Sequence, residues 1–564
     1  MTPDPGGDGA PAGRSSDAGD RVGAAFDRVE SLDDPAVFLA IADRATALDR
    51  LDPELPLAGL TFAVKDNIDV AGLPTTAACP SFATMAAGSA AVVERLEAAG
   101  GTCVGKTNLD QFATGLVGTR SPFGMPRNPI DAALVPGGSS SGSAVAVARG
   151  TVDVALGTDT AGSGRVPAAQ CRIVGIKPTK GRLSTRGVVP AVRSIDCVSV
   201  FARSVSEAWR VVRATEGFDP ADPLSRRSPG PPPVPPRWRI GIPAEVDLDG
   251  PLDREAWEST VARLGLLGDV VPVDVSAMVT AGELLYGGPW VAERSAAVGA
   301  FLDTDPPDAD PVVASIIGAG RTPSAIDAYR GAYELAALAR RAEGVWDVVD
   351  VLCVPTTPGP ATVAEVALDP VGRNNRLGRY TNWVNLLDQC AVAVPGADRS
   401  DGWPTGLTVL APAWCDELVV RLAAQFCGED PPDDTSAGHV DLVVVGAHLE
   451  GQPLNGQLTD LGARLVARTR TAPDYRLLAL ADTIPPKPGL VRVPGGGGPI
   501  EVEVWRLPIA AVGAFLRQVP APLALGTVEL EDCSQVKGFV CEPRALDGAR
   551  DITSFGGWRA FLES

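Results

Sequence analysis

A lysine and two serines in the first third of the chain are the residues best suited to hydrolytic chemistry. Ser139 follows Lys65 by 74 positions, and Ser163 follows after a further 24. The 564-residue chain has only two histidines, both beyond residue 438, so residues 1–438 cannot form a histidine-based triad. Because a serine hydroxyl is a weak nucleophile, it needs another base here, and lysine is the obvious candidate.

A lysine base is consistent with elementary proton chemistry. Lysine accepts a proton only when it is neutral, and burial away from water lowers its pKa towards the working pH. A second serine can relay the proton, because one hydroxyl both donates and accepts a hydrogen bond.

Two segments rich in glycine and serine surround the serines, Gly137–Ser143 and Gly157–Arg165. Alone, the first is typical of a flexible linker. Here it opens an apolar helical run, residues 144–148, and the second follows a strand-like stretch, residues 152–156. Successive N–H groups at a turn entering a helix can stabilise developing negative charge. We therefore expect an oxyanion hole formed by the backbone of Thr160, Ala161, Gly162 and Ser163.

These segments, with Phe62–Asp66, resemble the amidase-signature family, whose catalytic set is Ser–cis-Ser–Lys. The resemblance implies that Ser163 is the nucleophile, that Ser139 is the bridging serine at a non-proline cis peptide, and that Lys65 is the base. It implies no metal and no cofactor. Strand and helix patterns alternate up to about residue 215, which indicates an α/β fold with a mixed sheet covered by helices.

The C-terminal part narrows the resemblance. Its motifs resemble the C-terminal domain of allophanate hydrolases, a small α+β domain of γ-glutamyl-cyclotransferase-like fold. Within the amidase part, Ala161 replaces the usual glycine of the wider family, as it does in allophanate hydrolases, and Leu183–Pro190 also resembles that branch. The C-terminal motifs are Val443–Asn455, Arg470–Tyr475, Pro486–Leu490, Val536–Glu542 and Phe555–Arg559.

Breaks in composition predict the domain organisation. Residues 1–20 are rich in Gly, Asp and Pro and are expected to be a disordered tail. Residues 21–428 form the expected amidase-signature domain, residues 429–437 an acidic, proline-rich linker, and residues 438–564 the C-terminal domain.

The resemblance implies that the substrate is allophanate, a urea molecule that carries a carboxylate, and that the products are ammonia and carbon dioxide in a late step of urea degradation. Arg294 would pair with the carboxylate, since the guanidinium fork can grip it with two hydrogen bonds, and Tyr286 would hydrogen-bond the substrate. The alternatives are that Arg294 pairs with Glu293 or faces solvent, and that Tyr286 is a packed core residue.

The resemblance also implies that the C-terminal domain assists decarboxylation. His448 is the candidate for acid–base chemistry there, because it follows an apolar strand and histidine titrates near neutral pH. A structural histidine hydrogen-bonded at a strand end is the equally weighted alternative. His439, in the acidic linker, is expected to be exposed.

Charge and composition limit the partners. The balance of 49 basic and 69 acidic residues gives a net charge of −20, and no basic stripe suggests nucleic-acid binding. No apolar run approaches the length of a membrane span, and the N-terminus lacks a signal-peptide core. The ten scattered cysteines fit a reducing compartment, so we expect a cytoplasmic enzyme that binds neither nucleic acid nor membrane.

Expected partners follow from the resemblance. Residues 21–51 have helical periodicity, and relatives often use such a segment in dimer contacts, so we expect a homodimer. The sequence contains no biotin-attachment segment, so we expect functional coupling to a separate biotin-dependent urea carboxylase. Three alternatives stay open: an amidase acting on another small amide, the glutaminase subunit of a tRNA-dependent amidotransferase, and an inactive scaffold.

Overall fold

The computed structural model describes residues 12–230, 232–431, 439–481 and 483–564, without the side chains of residues 12–16 and 510. The chain divides into two compact units, Met1–Ser228 with Arg237–Pro432, and Pro229–Pro236 with Asp433–Ser564. Residues 1–11 of the predicted tail and 432–437 of the predicted linker therefore lie outside the described residues. Within the described ranges, no helix is long and apolar enough to cross a membrane.

Strands and helices alternate through the first unit. Its strands are β1 (Phe38–Ile41), β2 (Thr61–Lys65), β3 (Pro74–Thr75), β4 (Thr84–Met85), β5 (Thr102–Thr107), β6 (Val154–Asp159), β7 (Val174–Lys177), β8 (Cys197–Ala202), β9 (Trp238–Pro243), β10 (Gly268–Val273), β11 (Val351–Pro355), β12 (Gln389–Pro395) and β13 (Gly406–Pro412). Its α-helices are α1 (Ala12–Glu30), α2 (Arg44–Asp49), α3 (Ala91–Ala98), α4 (Ser141–Ala148), α5 (Val166–Gln170), α6 (Val205–Thr215), α7 (Pro251–Leu264), α8 (Ser276–Gly287), α9 (Val291–Leu302), α10 (Pro311–Ala319), α11 (Ala325–Glu343), α12 (Val363–Leu368), α13 (Gly372–Leu377), α14 (Asn382–Leu386) and α15 (Asp416–Cys427).

Eleven of these strands form one mixed sheet, in the order β1-β5-β2-β6-β8-β7-β12-β13-β11-β9-β10. Strand β2 is parallel to both β5 and β6, whereas β8, β7, β12 and β13 pair antiparallel with their neighbours. The parallel pairing places the carboxyl ends of β2 and β6 at the same edge of the sheet. This architecture confirms the predicted α/β fold with a mixed sheet covered by helices.

The central strands are buried on both faces, which explains their nearly uninterrupted apolar sequences. Phe62 and Val64 of β2 lie in one hydrophobic core, and Ala63 lies in the core on the opposite face. Val145 and Val147 of α4 pack into that second core. Helix α4 thereby rests on the sheet and begins within the glycine- and serine-rich segment that carries Ser139.

Helix α1 corrects the predicted disordered tail for residues 12–20. Ala18, Val22, Phe26 and Val29 recur at helical spacing and are buried. The helix therefore continues towards the N-terminus because its apolar face, including Ala18, packs against the protein's own core.

The second unit is built largely from strands. They are β14 (His439–Val444), β15 (Arg464–Arg470), β16 (Tyr475–Ala479), β17 (Pro488–Arg492), β18 (Glu501–Pro508), β19 (Leu523–Glu529), β20 (Gln535–Cys541) and β21 (Arg550–Asp551), with helices α16 (Gly456–Thr459), α17 (Val512–Leu516) and α18 (Trp558–Leu562). One sheet has the order β15-β18-β14-β20-β19, and a second has the order β17-β16-β21. His439 begins β14, pairs with Pro508 and is half-buried, so the prediction that it is exposed was wrong.

Candidate active site

Lys65 lies at the carboxyl end of β2 and is completely buried. Its Nζ is 2.7 Å from Ser139 Oγ and 2.7 Å from Thr158 Oγ1. Burial lowers the pKa of Lys65 from 10.5 to about 7, although nearby carboxylates, Asp110 foremost, oppose the shift. A substantial fraction of the amine is therefore neutral at physiological pH and able to accept a proton.

Ser139 is positioned by a tight backbone arrangement around Asp110. The Gly138–Ser139 peptide bond is cis, as the family resemblance implies. The carbonyl of Ser139 accepts a hydrogen bond from the N–H of Asp110 at 3.0 Å. A Cβ atom on Gly138 would lie 2.0 Å from Asp110 Oδ2, so only glycine permits this approach. Gly138, which belongs to the segment that resembled a linker, is thus required by close packing.

Ser163 lies in the loop between β6 and α5 and is 2% exposed. In the described part of the chain, no hydrogen bond joins its hydroxyl to Ser139. The structure therefore forms the link between Lys65 and Ser139, whereas the link between Ser139 and Ser163 is open. In substrate-free enzymes, catalytic hydrogen bonds are often long and tighten only when substrate binds.

A buried ion pair supports the loop that carries Ser163. Arg165 donates from Nε and Nη2 to the two carboxylate oxygens of Asp159, at 2.9 and 2.8 Å. Both residues are fully buried. Burial by itself raises the pKa of Asp159, but the charge and hydrogen bonds of Arg165 lower it below its ordinary value. Asp159 thus stays ionised and fixes both ends of the loop.

The predicted oxyanion hole is only partly free in this structure. The N–H of Gly162 donates to Asp159 Oδ1 at 3.1 Å. The N–H groups of Thr160, Ala161 and Ser163 donate to no protein acceptor among the described residues. Three of the four predicted donors therefore remain available to a developing oxyanion, and Gly162 contributes to the shape of the loop.

Asp196 holds the beginning of the same loop. Its Oδ1 accepts a hydrogen bond from Thr160 Oγ1 at 2.5 Å, and its carboxylate also accepts from the N–H groups of Ala191 and Val192. Sequence reasoning missed this residue, as it missed Thr158. Thr158, Asp159 and Arg165 stood inside the quoted motif, whereas nothing in the pattern singled out Asp196.

Arg294 lies on α9, is 1% exposed and has no carboxylate partner in the described part of the chain. Its Nη1 donates to Thr114 Oγ1 at 2.8 Å, its Nη2 donates to Tyr286 Oη at 3.4 Å, and its Nε has no partner there. Glu293 instead accepts hydrogen bonds from Ser194, so it does not neutralise Arg294. A buried, unpaired guanidinium is costly unless an anion binds beside it.

Tyr286, on α8, is half-buried beside Arg294. The Arg294 guanidinium lies 5.3 Å from the centre of its ring. Tyr286 also packs against an apolar cluster that contains Ala161 of the predicted oxyanion loop. The structure thus brings the predicted substrate residues into the neighbourhood of the loop that carries Ser163.

His448 belongs to the second unit and contributes to a different site. Its ring stacks on Phe539 at 5.0 Å, and its Nε2 lies 2.9 Å from Gln457 Oε1. Burial lowers its pKa from the ordinary value, and the charge of Lys487 lowers it further. The imidazole is therefore mainly neutral at physiological pH, and it lines a small cavity between β14, β17 and β20.

Comparisons with known proteins agree with this architecture. The Amidase family model matches residues 24–420, and the model of the allophanate hydrolase C-terminal domain matches residues 440–563. Urea amidolyase of Saccharomyces cerevisiae is 43% identical over 551 residues, which cover 90% of this chain and 30% of that protein. The chain thus spans about 30% of the length of the curated urea amidolyases that it matches.

A solved allophanate hydrolase structure and an amidotransferase subunit are also similar to this chain. The structure of Kluyveromyces lactis allophanate hydrolase matches with a TM-score of 0.85 and 39% identity, covering 98% of this chain and 97% of that one. One subunit of the glutamyl-tRNA(Gln) amidotransferase of Thermus thermophilus is 34% identical over 439 residues, which cover 71% of this chain and 91% of that protein. The amidotransferase subunit therefore matches a smaller share of this chain than K. lactis allophanate hydrolase does.

Proposed function

This chain belongs to the amidase family, and we propose that it is an allophanate hydrolase that converts allophanate to ammonia and carbon dioxide. The observation that carries the proposal is Arg294, a buried guanidinium without a carboxylate partner among the described residues. Allophanate differs from urea by one carboxylate, and a carboxylate is the partner that Arg294 lacks among the described residues. The similarity to K. lactis allophanate hydrolase over nearly the whole chain supports the same conclusion.

The first step is acyl transfer at the terminal amide carbon. Ser163 attacks that carbon, and its proton passes through Ser139 to neutral Lys65. Free N–H groups of the loop stabilise the oxyanion. Lys65 returns the proton to the leaving nitrogen, so ammonia departs and an acyl-enzyme remains. The ion pair formed by Arg294 and the substrate carboxylate orients the amide towards Ser163.

Water then hydrolyses the acyl-enzyme by the reverse use of the same relay. The product is N-carboxycarbamate, which carries a carboxylate on each side of one nitrogen. Loss of carbon dioxide from each side, with a proton delivered to nitrogen each time, releases the second ammonia and two molecules of carbon dioxide. We assign help with the first of these decarboxylations to the C-terminal unit, with His448 as the acid–base residue.

Among the alternatives, hydrolysis of another small amide leaves the charge of Arg294 without a role. The T. thermophilus amidotransferase protein is similar over 71% of this chain, and a glutaminase subunit does not account for the C-terminal unit. The buried contact between Lys65 and Ser139 favours an active enzyme over an inactive scaffold.

We also propose a homodimer in the cytoplasm that acts after a biotin-dependent urea carboxylase. The ten cysteines are all free thiols, which is consistent with a reducing compartment. The apolar side of α1 packs inside the protomer, so a dimer contact at residues 21–51 would use another side of that segment. Light scattering on the purified chain tests the homodimer, and a monomer would refute it. Cell fractionation tests the cytoplasmic location, and recovery in the membrane fraction would refute that.

The test of the main proposal is the number of ammonia molecules released per molecule of freshly prepared allophanate. The intact chain is expected to release two, and Ser163→Ala none, while the circular dichroism of the variant stays unchanged. If the intact chain cleaves a simple amide but not allophanate, the hydrolytic site stands and the proposed substrate is wrong.

A further inference from the structure

We propose that Asn385 is the residue that positions the oxyanion hole, and that it does so by fixing the peptide unit between Asp159 and Thr160. Asn385 lies on α14 and is completely buried. Its hydrogen bonds reach none of the three predicted catalytic side chains in the described part of the chain, so it acts through the backbone around them. The inference rests on the proposed function and deepens it, because it names the residue that holds the hydrolytic site in its active geometry.

The first observation is that every polar group of the Asn385 side chain is used. Nδ2 donates to the carbonyl oxygen of Asp159 at 2.7 Å and to that of Ile195 at 3.0 Å. Oδ1 accepts from Nη2 of Arg165 at 3.2 Å. Two carbonyls need a donor and a guanidinium needs an acceptor, so these partners fix which end of the amide is nitrogen. A carboxylate or an apolar side chain of the same shape cannot satisfy all three partners.

The second observation concerns the peptide unit that Asn385 grips. The carbonyl of Asp159 and the N–H of Thr160 belong to the same planar peptide unit, and the cis peptide bonds of the described residues lie elsewhere. In a trans peptide these two groups point in opposite directions, so a bond that holds the carbonyl also fixes the direction of the N–H. The N–H of Thr160 is one of the donors without a protein acceptor among the described residues. The bond to the carbonyl also polarises the peptide unit and strengthens that donor.

The other hydrogen bond of Nδ2 holds the turn that anchors the side chain of Thr160. In this turn the N–H groups of Ile195 and Asp196 both donate to Val192 O, at 2.9 and 3.0 Å. Asp196 in turn accepts from Thr160 Oγ1 at 2.5 Å. Asn385 therefore holds Thr160 from two sides, through the carbonyl that precedes it and through the turn that carries the acceptor of its hydroxyl.

Packing adds a further restraint on the same loop. A Cβ atom on Gly162 would collide with the hydroxyl of Thr381, the residue just before α14. Leu386 of α14 lies in one apolar cluster with Ala161. The loop thus rests on the helix that carries Asn385, which keeps the amide within hydrogen-bond distance of its backbone partners.

The catalytic consequence follows from where charge develops. When Ser163 Oγ bonds to the amide carbon, an electron pair of the C=O bond passes to oxygen, and it returns when ammonia leaves. A donor that is held in place beforehand stabilises this charge without having to reorient. Because the charge is absent from the bound substrate, a misdirected Thr160 N–H should lower kcat and leave KM nearly unchanged. The same charge forms on any amide, so the loss should not depend on the substrate carboxylate.

The experiment compares Asn385→Asp and Asn385→Leu with the parent in the full chain, by steady-state ammonia release. Aspartate matches the amide in shape and, when ionised, can still accept from Arg165 but cannot donate to either carbonyl. Leucine keeps the branched shape and can do neither. Complete loss of an oxyanion donor lowers kcat by roughly a hundredfold to a thousandfold, so misdirection of one should lower it by roughly tenfold to a hundredfold. The KM for allophanate should stay within about twofold of the parent value.

Asn128 supplies the matched control, because it is another buried asparagine with the same kinds of hydrogen bonds. Its Nδ2 donates to Val135 O at 2.9 Å and to Gln170 O at 3.0 Å. Its Oδ1 accepts from the N–H of Ile130 at 2.8 Å. None of these partners belongs to the oxyanion loop, so Asn128→Asp and Asn128→Leu should keep kcat within about threefold of the parent value. Thermal melting followed by circular dichroism identifies the variants that are folded at the assay temperature.

Three results would overturn the inference. The first is a folded Asn385→Asp whose kcat stays within about threefold of the parent value. The second is a loss of activity that falls on KM instead of kcat. The third is an equal loss of kcat in the Asn128 variants, because any buried amide would then serve as well. If Asn385→Leu does not fold, Asn385→Asp alone decides.

Propionamide, an uncharged amide, separates this inference from the proposed function. The Asn385 variants should lose the same factor of kcat on propionamide as on allophanate, and a loss confined to one of two substrates that the parent cleaves would overturn the inference. If the parent cleaves only one of them, that substrate alone tests Asn385. Cleavage of propionamide without cleavage of allophanate refutes the proposed function and leaves the test of Asn385 intact. A parent chain that cleaves neither overturns both.

Discussion

Thr158 Oγ1 lies 2.7 Å from Lys65 Nζ, the same distance that separates Lys65 Nζ from Ser139 Oγ. The buried amine is therefore held between Ser139, the proposed proton relay, and Thr158. This arrangement orients the amine while burial keeps much of it neutral.

The pH dependence of hydrolysis should report the ionisation of Lys65. Because the pKa of Lys65 is about 7 and the neutral amine is the active form, kcat/KM should fall about tenfold per pH unit below pH 7 and level off above it. Initial rates between pH 5 and pH 9 measure this profile. A profile that stays flat down to pH 5 would contradict lysine as the base.

Thr158→Val should reduce activity and move the acid limb of the pH profile to lower pH. A hydroxyl that accepts a hydrogen bond favours the charged amine, so its loss lowers the pKa of Lys65 further. The loss of one positioning hydrogen bond should lower kcat roughly twofold to tenfold. Thr158→Ser keeps the acceptor and serves as the control. Equal profiles for both variants would show that the contact has no role.

Arg294→Met should raise the KM for allophanate by roughly tenfold to a hundredfold, since hydrogen bonds to a charged group contribute about 1.5–3 kcal/mol. Hydrolysis of an uncharged small amide should change little, because that substrate has no carboxylate. Steady-state kinetics on both substrates provide the comparison. A parallel loss on both would indicate that Arg294 supports the fold of the site and does not recognise the substrate.

Arg165→Met should destabilise the amidase unit by about 3–5 kcal/mol, because it leaves the carboxylate of Asp159 buried without its partner. Arg149→Met is the matched control, since Arg149 is exposed and has no carboxylate partner among the described residues. The control should stay within about 0.5 kcal/mol of the parent. Urea unfolding followed by fluorescence measures both, and similar midpoints would refute the structural role of the ion pair.

The amino-acid sequence was sufficient to predict the α/β fold and the family. Alternating apolar strands and amphipathic helices follow from local pattern, and Lys65, Ser139 and Ser163 stand in short motifs whose residue types and spacing carry the chemistry. The assignment of these three residues to catalytic roles stays a prediction. The contact between Lys65 and Ser139 agrees with it, whereas no hydrogen bond joins Ser139 to Ser163 in the described part of the chain.

Other features depend on residues that are distant in sequence. The pKa of Lys65 reflects burial and the charges of four residues that are distant in sequence, and one of them, Asp196, reaches Thr160 from 36 positions away. Glu293 bonds Ser194, 99 positions earlier, and Arg294 has no carboxylate partner among the described residues. The motif did not indicate that Gly162 donates to Asp159, and composition did not indicate that α1 begins at Ala12. The local sequence determines which side chains and backbone groups are present. Burial and long-range contacts decide the charge of these groups, their hydrogen-bond partners and which of them stay free. These properties depend on surroundings that form only when the chain folds.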